Sequence, residues 1–347
     1  MEFLSQYGLF LAKAVTIVVA ILFVVVGILA ASSKGKKEHR GQIEVSLLND
    51  HYDDAEDIIK SFVLDDDERK QEQKALKKKL KEEKKAKKKA SDEDEPKKRI
   101  YVLKFDGDVK ASAVASLREE ITAILTMATP ADEVVLCLES PGGMVHTYGL
   151  AASQLTRITS KDIPLTVAVD AVAASGGYMM ACIGNKILAA PFAIIGSIGV
   201  VAEVPNFHRL LKKNDIDFET FTAGEHKRTV TMFGENTDKG KAKFVQELED
   251  THELFKSFVS EHRPQVNVAA VATGEIWYGK RALENNLIDD VQTSDEYLMS
   301  KRKEANIYTV TFEEKKTLQE KLGMAARLAT DGVVNQLIER FSHNRHF

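Results

Sequence analysis

The chain has 347 residues, of which 44% are hydrophobic and 29% are charged, with a formal net charge of −4. This length suffices for one sizeable domain, or two, with accessory segments. Only two cysteines are present, Cys137 and Cys182, each within an apolar run, which argues against a disulfide framework and favours buried free thiols. The nine histidines are scattered and form no HExxH or comparable ligand set, so we expect neither a metal nor a cofactor.

The first predicted element is an uncharged apolar segment near the N-terminus. Residues 14–31 read AVTIVVAILFVVVGILAA, and residues 7–12 extend the apolar run across Lys13. Together they exceed the roughly 20 residues that span a bilayer core, which predicts a membrane anchor over residues 1–33. A cleaved secretory signal is the competing interpretation, but its apolar core is usually only about 7–15 residues long.

Basic residues beside this segment predict its orientation. The cluster KGKKEHR, residues 34–40, follows the apolar run, whereas a single lysine precedes it. The positive-inside rule therefore places the C-terminal side of a single-pass anchor in the cytoplasm.

Residues 34–98 are predicted to form a charged, lysine-rich linker. Residues 41–68 are acid-rich and mildly amphipathic, and residues 69–89 contain twelve basic and three acidic residues. Such a run cannot bury a core and is typical of a solvated helix or a disordered linker. Adhesion to anionic lipid headgroups is a second interpretation. Nucleic-acid binding is disfavoured, because no aromatic residue lies among the lysines.

From residue 99 onwards, strand and helix patterns alternate. IYVLKFDG, EVVLCLES and LTVAVD have the composition of strands, whereas SLREEITAILTMA and YGLAASQLTRI have helical periodicity. This alternation predicts α/β architecture with largely parallel pairing over residues 99–312. A long helix is predicted over residues 239–261 and a strand at FETF, residues 218–221. Residues 313–347 are predicted to form a helical tail, whose docking partner the sequence does not specify.

Two turns in the α/β region have compositions suited to a reaction. The first, ESPGGMVH, spans residues 139–146 and follows the strand EVVLCL; ligands gather at such strand ends in open α/β sheets. Gly142 and Gly143 permit backbone geometries that direct N–H groups at an anionic oxygen. Alone, however, a PGG sequence is more typical of an ordinary strand-to-helix turn.

The second turn, VDAVAASGGYMMA, spans residues 169–181 and places Ser175 between a strand and a helix. Small neighbours leave its hydroxyl accessible and let its own and the next N–H face a substrate. This is the arrangement of a nucleophile at a strand–helix junction, although the sequence is not a GxSxG elbow. Taken alone, a serine at this position is more typical of a helix N-cap.

A serine nucleophile needs a base. His146 and His226 lie near suggestive sequence, but neither belongs to a motif comparable with the two turns. A lysine can serve where burial lowers its pKa, and TAGEHKRT, residues 222–229, contains Lys227. The apolar run over residues 189–201 would shield such an amine from water. Spacing alone does not distinguish Lys227 from a surface lysine.

SPGG, AASGGYMMA, GSIGV (residues 196–200) and TAGEHKRT, in this order and at these separations, resemble the signal peptide peptidase A family, peptidase family S49. The likeness covers essentially the whole chain, including YGLFLAK near the N-terminus, the lysine-rich segment and ATGEIWYGKRALENNLID. Each motif is weak by itself, but the ordered set is specific.

The resemblance implies a Clp-protease/crotonase-like α/β spiral behind an N-terminal transmembrane helix in a bacterial inner membrane. It implies Ser175 as nucleophile, Lys227 as general base and Ser197 as the residue that orients the lysine. The oxyanion-hole donors that it implies are the backbone N–H groups of Gly143 or Gly142, and of Gly176.

The resulting prediction is a membrane-anchored serine endopeptidase that cleaves signal-peptide remnants or membrane-proximal proteins. Expected partners are a peptide or protein substrate, membrane lipid and further copies of the chain, but no nucleic acid. Whether the lysine acts in cis or in trans is open; we expect homo-oligomers with in-chain dyads that face a shared groove.

Two other functions fit part of the pattern. A crotonase-type acyl-CoA enzyme has the same fold, but it would depend on Glu139 and leave Ser175 and Lys227 without a role. A non-catalytic membrane scaffold would keep the fold and lose the chemistry, yet all three matched catalytic positions are intact.

Overall fold

The computed structural model describes residues 41–65 and 97–314, together with positions 13, 16, 67, 68, 71 and 74. The chain divides into two compact units, of which one comprises Ile43–Glu313. The other combines Met1–Gln42 with Glu314–Phe347; the structure describes it only at positions 13, 16, 41, 42 and 314.

The predicted anchor and C-terminal tail therefore lie almost wholly outside the described residues, as does most of the lysine-rich run. In the part of the chain that the structure describes, no helix combines the length and apolar character needed to cross a bilayer. The anchor stays a prediction.

Strands and helices alternate along the described residues, which confirms the predicted α/β architecture. The strands are β1 (Gly41–Leu47), β2 (Lys98–Asp106), β3 (Glu133–Glu139), β4 (Leu165–Val169), β5 (Val172–Ala174), β6 (Lys186–Ala189), β7 (Ile194–Gly196), β8 (Ile276–Tyr278), β9 (Asp290–Val291) and β10 (Ala305–Glu314). The helices are α1 (Leu48–Val63), α2 (Val114–Ile124), α3 (Val145–Thr159), α4 (Gly176–Ala181), α5 (His208–Lys213), α6 (Asp238–His262), α7 (Val268–Val271), α8 (Gly279–Glu284) and α9 (Ser294–Lys301).

These strands form two sheets. The larger has the order β1-β10-β2-β3-β4-β6-β9, and its pairings from β10 to β9 are parallel. The smaller has the order β5-β7-β8, with β5 parallel to β7 and β7 antiparallel to β8. Parallel neighbours need crossover connections, which α2 and α3 supply between β2, β3 and β4. The predicted parallel pairing is confirmed.

Strand β3 shows why the sequence folds this way. Val134, Val135 and Leu136 are all completely buried, because side chains on both faces of the strand meet apolar neighbours. Leu136 belongs to the main core, whereas Val135 packs in a second cluster with Tyr297 and Leu298 of α9. A strand buried on both faces is a continuous apolar run, and each large aliphatic side chain contributes about 1.5–3 kcal/mol on burial.

The carboxyl end of β3 joins the two sheets. Beyond the strand, Ser140 pairs with Ala173 of β5. The Ser140 N–H donates to the Val172 carbonyl at 2.8 Å, and the Ala174 N–H donates to the Ser140 carbonyl at 3.0 Å. Backbone pairing thus brings the turn after β3 against the turn after β5, although some 30 residues separate them in sequence.

Part of the predicted linker belongs to the compact unit, because β1 and α1 lie within residues 34–98. Asn49 in α1 donates to the carbonyls of Arg302 and Ala305 at 2.9 and 3.1 Å, and accepts the Ile307 N–H at 2.8 Å. The compact unit therefore begins upstream of the domain boundary predicted at residue 99.

Two further expectations have different outcomes. The long helix expected over residues 239–261 is confirmed as α6. The strand expected at FETF is wrong, because residues 216–222 form no strand and are exposed. An alternating pattern becomes a strand only where a neighbouring strand accepts its hydrogen bonds, and none pairs with FETF in the described sheets.

Candidate active site

Ser175 lies at the junction of β5 and α4 in a strained backbone conformation. Its φ is +52° and its ψ is −119°, a region that costs a non-glycine residue about 1–3 kcal/mol. Two hydrogen bonds hold it there: the Ser175 N–H donates to the Gly196 carbonyl at 2.8 Å, and the Met179 N–H donates to the Ser175 carbonyl at 3.0 Å. Ser175 occupies the N-cap position of α4, yet its hydroxyl makes no capping hydrogen bond.

The turn after β3 contacts Ser175 directly. Gly142 has a φ of +90°, which favours glycine. A Cβ placed on Gly142 would lie 2.8 Å from the Ser175 Cβ and 2.7 Å from the Gly176 nitrogen. No larger residue fits there, so the glycine lets the two turns approach. The SPGG and AASGG sequences are thus brought together.

The backbone N–H groups at these two turns differ in whether they already have an acceptor. The Gly142 N–H donates to the Ser140 hydroxyl oxygen at 3.1 Å, and the Ser175 N–H is already bonded to Gly196. No acceptor within residues 41–65 and 97–314 receives the N–H of Gly143 or Gly176. These two amides are therefore available to an oxygen of a bound molecule.

A small cavity lies beside these amides. Its volume is about 20 Å³, close to that occupied by one water molecule. The cavity is lined by Gly143, Val145, Ser175, Gly176, Met179, Gly199, Val200, Thr251 and Phe255. The cavity therefore has room for a single oxygen atom beside Ser175 and the two glycines that carry the free N–H groups.

Ser197 directly follows β7, the strand that pairs with β5. Its φ is +51°, and its N–H donates to the Glu275 carbonyl at 2.7 Å. The residue before Ser197, Gly196, accepts the Ser175 N–H, so Ser175 is hydrogen-bonded to the strand end that leads into Ser197. The Ser197 hydroxyl makes no hydrogen bond with any residue that the structure describes.

Lys227 lies apart from this group, on an exposed turn. Its N–H donates to the Gly224 carbonyl at 3.2 Å, and its ammonium group makes no hydrogen bond or ion pair among the described residues. The adjacent Glu225 instead pairs with Lys239 at 2.7 Å and lies 3.9 Å from His226. The structure thus assembles Ser175, Ser197 and the glycine turns, but it does not join Lys227 to them.

The segment that carries Lys227, residues 201–236, is here called the lysine arm. Its two ends are tied together by Asn206, whose side-chain amide donates to the carbonyls of Thr231 and Gly234 at 2.9 and 3.0 Å. Phe221 is 89% exposed and Val201 is 82% exposed.

One residue near the site was not singled out by its sequence. His252 of α6 is half-buried, and its Nε2 lies 3.1 Å from the carbonyl oxygen of Ile198, the residue after Ser197. Its neighbour Thr251 and, one turn on, Phe255 line the small cavity. Only the packing of α6 against the β7 end reveals this contact, because no motif surrounds His252.

Glu139 and the cysteines do not take part in the site. Glu139 lines a separate cavity of about 460 Å³ with Lys104 and Asp170, so an acyl-CoA reaction at the glycine turn would lack its carboxylate. Cys137 and Cys182 are free thiols, and burial raises the pKa of Cys137 to about 11. Across the described residues, no three His, Cys, Asp or Glu side chains are grouped to bind a metal.

Known proteins match the chain over most of its length. The model described as Peptidase family S49 N-terminal matches residues 2–155, and the one described as Peptidase family S49 matches residues 157–308. A Haemophilus influenzae protein described as "Probable protease SohB" is 49% identical over 346 residues, covering 98% of this chain and 97% of the relative.

More distant relatives carry related descriptions. A "Putative protease SohB" of Buchnera aphidicola subsp. Baizongia pistaciae is 43% identical over 354 residues and 100% of both chains. A "Putative signal peptide peptidase SppA" of Enterococcus faecium is 31% identical over 181 residues, about half of each protein.

Proposed function

The chain belongs to peptidase family S49 and is a serine-type protease, and we propose that Ser175 is its nucleophile. One observation carries this proposal: the uncapped Ser175 hydroxyl lies at a strained strand–helix turn, beside two backbone amides that have no acceptor among the described residues. A strained nucleophile turn of this kind presents the hydroxyl to a substrate instead of to its own helix.

Gly143 and Gly176 form the proposed oxyanion hole. As the Ser175 Oγ bonds to the carbonyl carbon of the scissile peptide, the carbonyl oxygen gains negative charge inside the small cavity. The two free N–H groups stabilise that charge, and losing one such donor typically costs about 2.7–4 kcal/mol. Gly142 is the weaker candidate, because its N–H is already bonded to Ser140.

Lys227 is the proposed general base, oriented by the Ser197 hydroxyl. A neutral Lys227 amine takes the proton of Ser175 during attack and returns it to the leaving amine as the C–N bond breaks; water then hydrolyses the acyl-enzyme. Burial lowers the pKa of an amine. Because Lys227 is exposed in a single chain, the dyad requires the lysine arm to close over Ser175.

Assembly of several copies is the proposed means of closing the arm. The exposed apolar side chains of the lysine arm, including Phe221 and Val201, support a homo-oligomer in which they are buried. The in-chain dyads would face a shared groove. A mixture of Ser175→Ala and Lys227→Ala proteins tests this: in-chain dyads leave the mixture inactive, whereas regained activity would show that the lysine acts in trans.

The compact unit is proposed to be a Clp-protease/crotonase-like spiral anchored in a bacterial inner membrane by residues 1–33. The two sheets joined at Ser140 support the spiral fold, and the uncharged run of residues 14–31 supports the anchor. Basic residues 34–40 favour a cytoplasmic catalytic unit. Added protease should then degrade this unit in inside-out vesicles but not in spheroplasts; the reverse pattern would exclude the orientation.

The proposed substrates are signal-peptide remnants or membrane-proximal proteins. The description of the Enterococcus faecium relative as a putative signal peptide peptidase supports this class. A catalytic unit tethered next to the bilayer would meet such peptides at high local concentration. Anionic lipid around the lysine-rich run is the other proposed partner.

Labelling with a fluorophosphonate probe tests the dyad. Full-length wild type, Ser175→Ala and Lys227→Ala are compared in detergent, and the modified residue is identified by mass spectrometry. We expect a label on Ser175 that both substitutions abolish. Lys239→Ala is the matched control, because this exposed lysine bonds only to Glu225 within the described residues. A folded wild type that takes no label would instead support the non-catalytic scaffold.

A further inference from the structure

Tyr148 of α3 connects the two turns that hold the proposed oxyanion donors. Its side chain is completely buried. Its hydroxyl lies 2.6 Å from the Ser140 Oγ and donates to the Asp108 carbonyl at 2.7 Å. In the sequence, Tyr148 belongs to the predicted helix YGLAASQLTRI and to no motif, and the proposed mechanism gives it no part.

The donor and the acceptor in each of these hydrogen bonds can be assigned from the chemical groups that take part. A carbonyl oxygen only accepts, so the single hydroxyl proton of Tyr148 is committed to Asp108. The Ser140 hydroxyl must then donate to Tyr148, which leaves the Ser140 Oγ free to accept the Gly142 N–H at 3.1 Å. Burial raises the pKa of Tyr148, which keeps its proton in place at any physiological pH.

These hydrogen bonds, together with one from Met144, fix the peptide groups on either side of the Gly142–Gly143 peptide, which carries the Gly143 N–H. On one side, Gly142 directs its N–H inward to Ser140. On the other side, the Met144 N–H donates to the Val109 carbonyl at 2.9 Å, and Val109 follows the residue that Tyr148 holds. Of the N–H groups of Gly142, Gly143 and Met144, only that of Gly143 has no acceptor among the described residues.

The ring of Tyr148 also supports the second donor. A Cβ placed on Gly176 would lie 2.5 Å from the Tyr148 Cγ, so the ring packs directly against that backbone. A Cβ on Gly107 would lie 2.4 Å from the Ser140 Oγ and 2.6 Å from the Tyr148 hydroxyl oxygen. Glycine at position 107 therefore leaves room for the two hydroxyls.

We propose that Tyr148 is a positioning residue for the oxyanion hole, and that it aligns the Gly143 N–H through Ser140 and the Gly176 N–H through ring packing. The inference rests on the proposed roles of Ser175, Gly143 and Gly176. Ser140 acts together with Tyr148, because among the described residues its hydroxyl is the only hydrogen-bonded link between Tyr148 and Gly142. Neither residue touches the substrate; both act on the geometry of the donors.

Two conservative substitutions isolate the hydroxyls. Tyr148→Phe keeps the ring against Gly176 and its edge contact with Phe105, whose centroid lies 6.5 Å away. Ser140→Ala removes the intermediate acceptor. Tyr101→Phe is the matched control: Tyr101 is 5% exposed in the same core cluster, and its hydroxyl has no hydrogen-bond partner among the described residues.

The experiment measures kcat and KM on a fluorogenic peptide that wild type cleaves, together with Tm and the rate of fluorophosphonate labelling, for full-length protein in detergent. We expect Tyr148→Phe to lower kcat about tenfold with KM within about twofold of wild type, because donors act on the transition state. The double variant with Ser140→Ala should lose little more than either single variant, and Tyr101→Phe should match wild type.

The outcomes separate this inference from the proposed function. A wild type that is not labelled at Ser175 overturns the proposed function itself. If wild type is labelled but Tyr148→Phe keeps its kcat, or loses only Tm, or changes only KM, then Tyr148 has a structural role alone and the inference is overturned. Additive losses in the double variant would separate Tyr148 from Ser140 and likewise contradict it.

Discussion

The backbone N–H of Ser175 donates to the carbonyl oxygen of Gly196 at 2.8 Å. This bond continues the pairing of β5 with β7 by one residue and places the proposed nucleophile beside the start of the Ser197 turn. It also uses the backbone N–H of Ser175, which leaves the N–H groups of Gly143 and Gly176 as the proposed donors to an oxyanion. A single sheet hydrogen bond thus limits which groups take part in the chemistry.

Gly142→Ala should lower both stability and labelling of Ser175. The new Cβ would lie 2.7 Å from the Gly176 nitrogen and the Ala174 carbonyl oxygen, at a φ of +90°. Strain at such a φ costs about 1–3 kcal/mol, and relief of the contact would displace the turn that bears Gly143. Urea denaturation and the labelling rate measure the two effects.

Gly149→Ala is the control for this substitution. Gly149 lies in α3, and a Cβ there would meet nothing within 4 Å. Alanine should stabilise the helix by about 0.5–1 kcal/mol and leave labelling unchanged. Equal behaviour of the two variants would contradict a special role for Gly142.

His252→Leu should lower kcat several-fold, because the ring no longer meets the Ile198 carbonyl at 3.1 Å and the Ser197 turn loses that support. The loss should be larger in kcat than in KM, since Ser197 is proposed to orient the base. His226→Ala is the control, because that side chain is exposed and its described partner is only Glu225. Steady-state kinetics of both variants check this; equal losses would argue against the contact.

Phe221→Asp should weaken assembly without unfolding the compact unit. The side chain is 89% exposed in a single chain, so its loss removes no core contact, whereas a charge in an interface is costly. The matched control is Phe192→Asp, which is 84% exposed but lies outside the lysine arm, against Tyr278. Light scattering after size exclusion should show fewer subunits per particle only for Phe221→Asp. A lower Tm for Phe221→Asp would show that this side chain stabilises the fold of the compact unit, which would contradict the prediction.

Glu120→Gln should raise stability, and the gain should grow with pH. Glu120 is 4% exposed and accepts the Phe312 N–H at 2.8 Å; burial raises the pKa of its carboxyl above the ordinary value. The folded state therefore holds the proton more tightly than the unfolded state. That contribution is fully present below the unfolded pKa and is lost as pH rises through the folded pKa.

Glutamine accepts the same N–H without carrying a charge, so the Tm difference from wild type should increase as pH rises above the ordinary glutamate pKa of about 4.3. It should level off once the carboxyl of the folded state has lost its proton. Glu119→Gln, at the exposed neighbouring position, should show no such trend. A Tm difference for Glu120→Gln that is independent of pH would mean that the carboxyl does not titrate within the core.

The sequence predicted those strands and helices around the site whose buried positions require apolar residues. β3 and β4 are buried on both faces and read as continuous apolar runs, and α6 shows its amphipathic spacing over 25 residues. The sequence predicted only a charged linker over residues 34–98 and did not predict that β1 and α1 pack with the α/β region, because the partners of Asn49 lie about 250 residues away in sequence. No local window contains the strand that completes such a contact.

The sequence by itself determined the family, the serine-protease class and the order of the four motifs, because each motif needs residue types, above all glycine and serine, that few other positions tolerate. Only the tertiary structure decided which of the neighbouring amides stay free. The Gly142 N–H donates to the Ser140 hydroxyl oxygen and the Ser175 N–H donates to the Gly196 carbonyl, so neither N–H is free. A backbone N–H is the same group at every residue, so its availability depends on acceptors that folding brings within 3 Å and not on its own side chain.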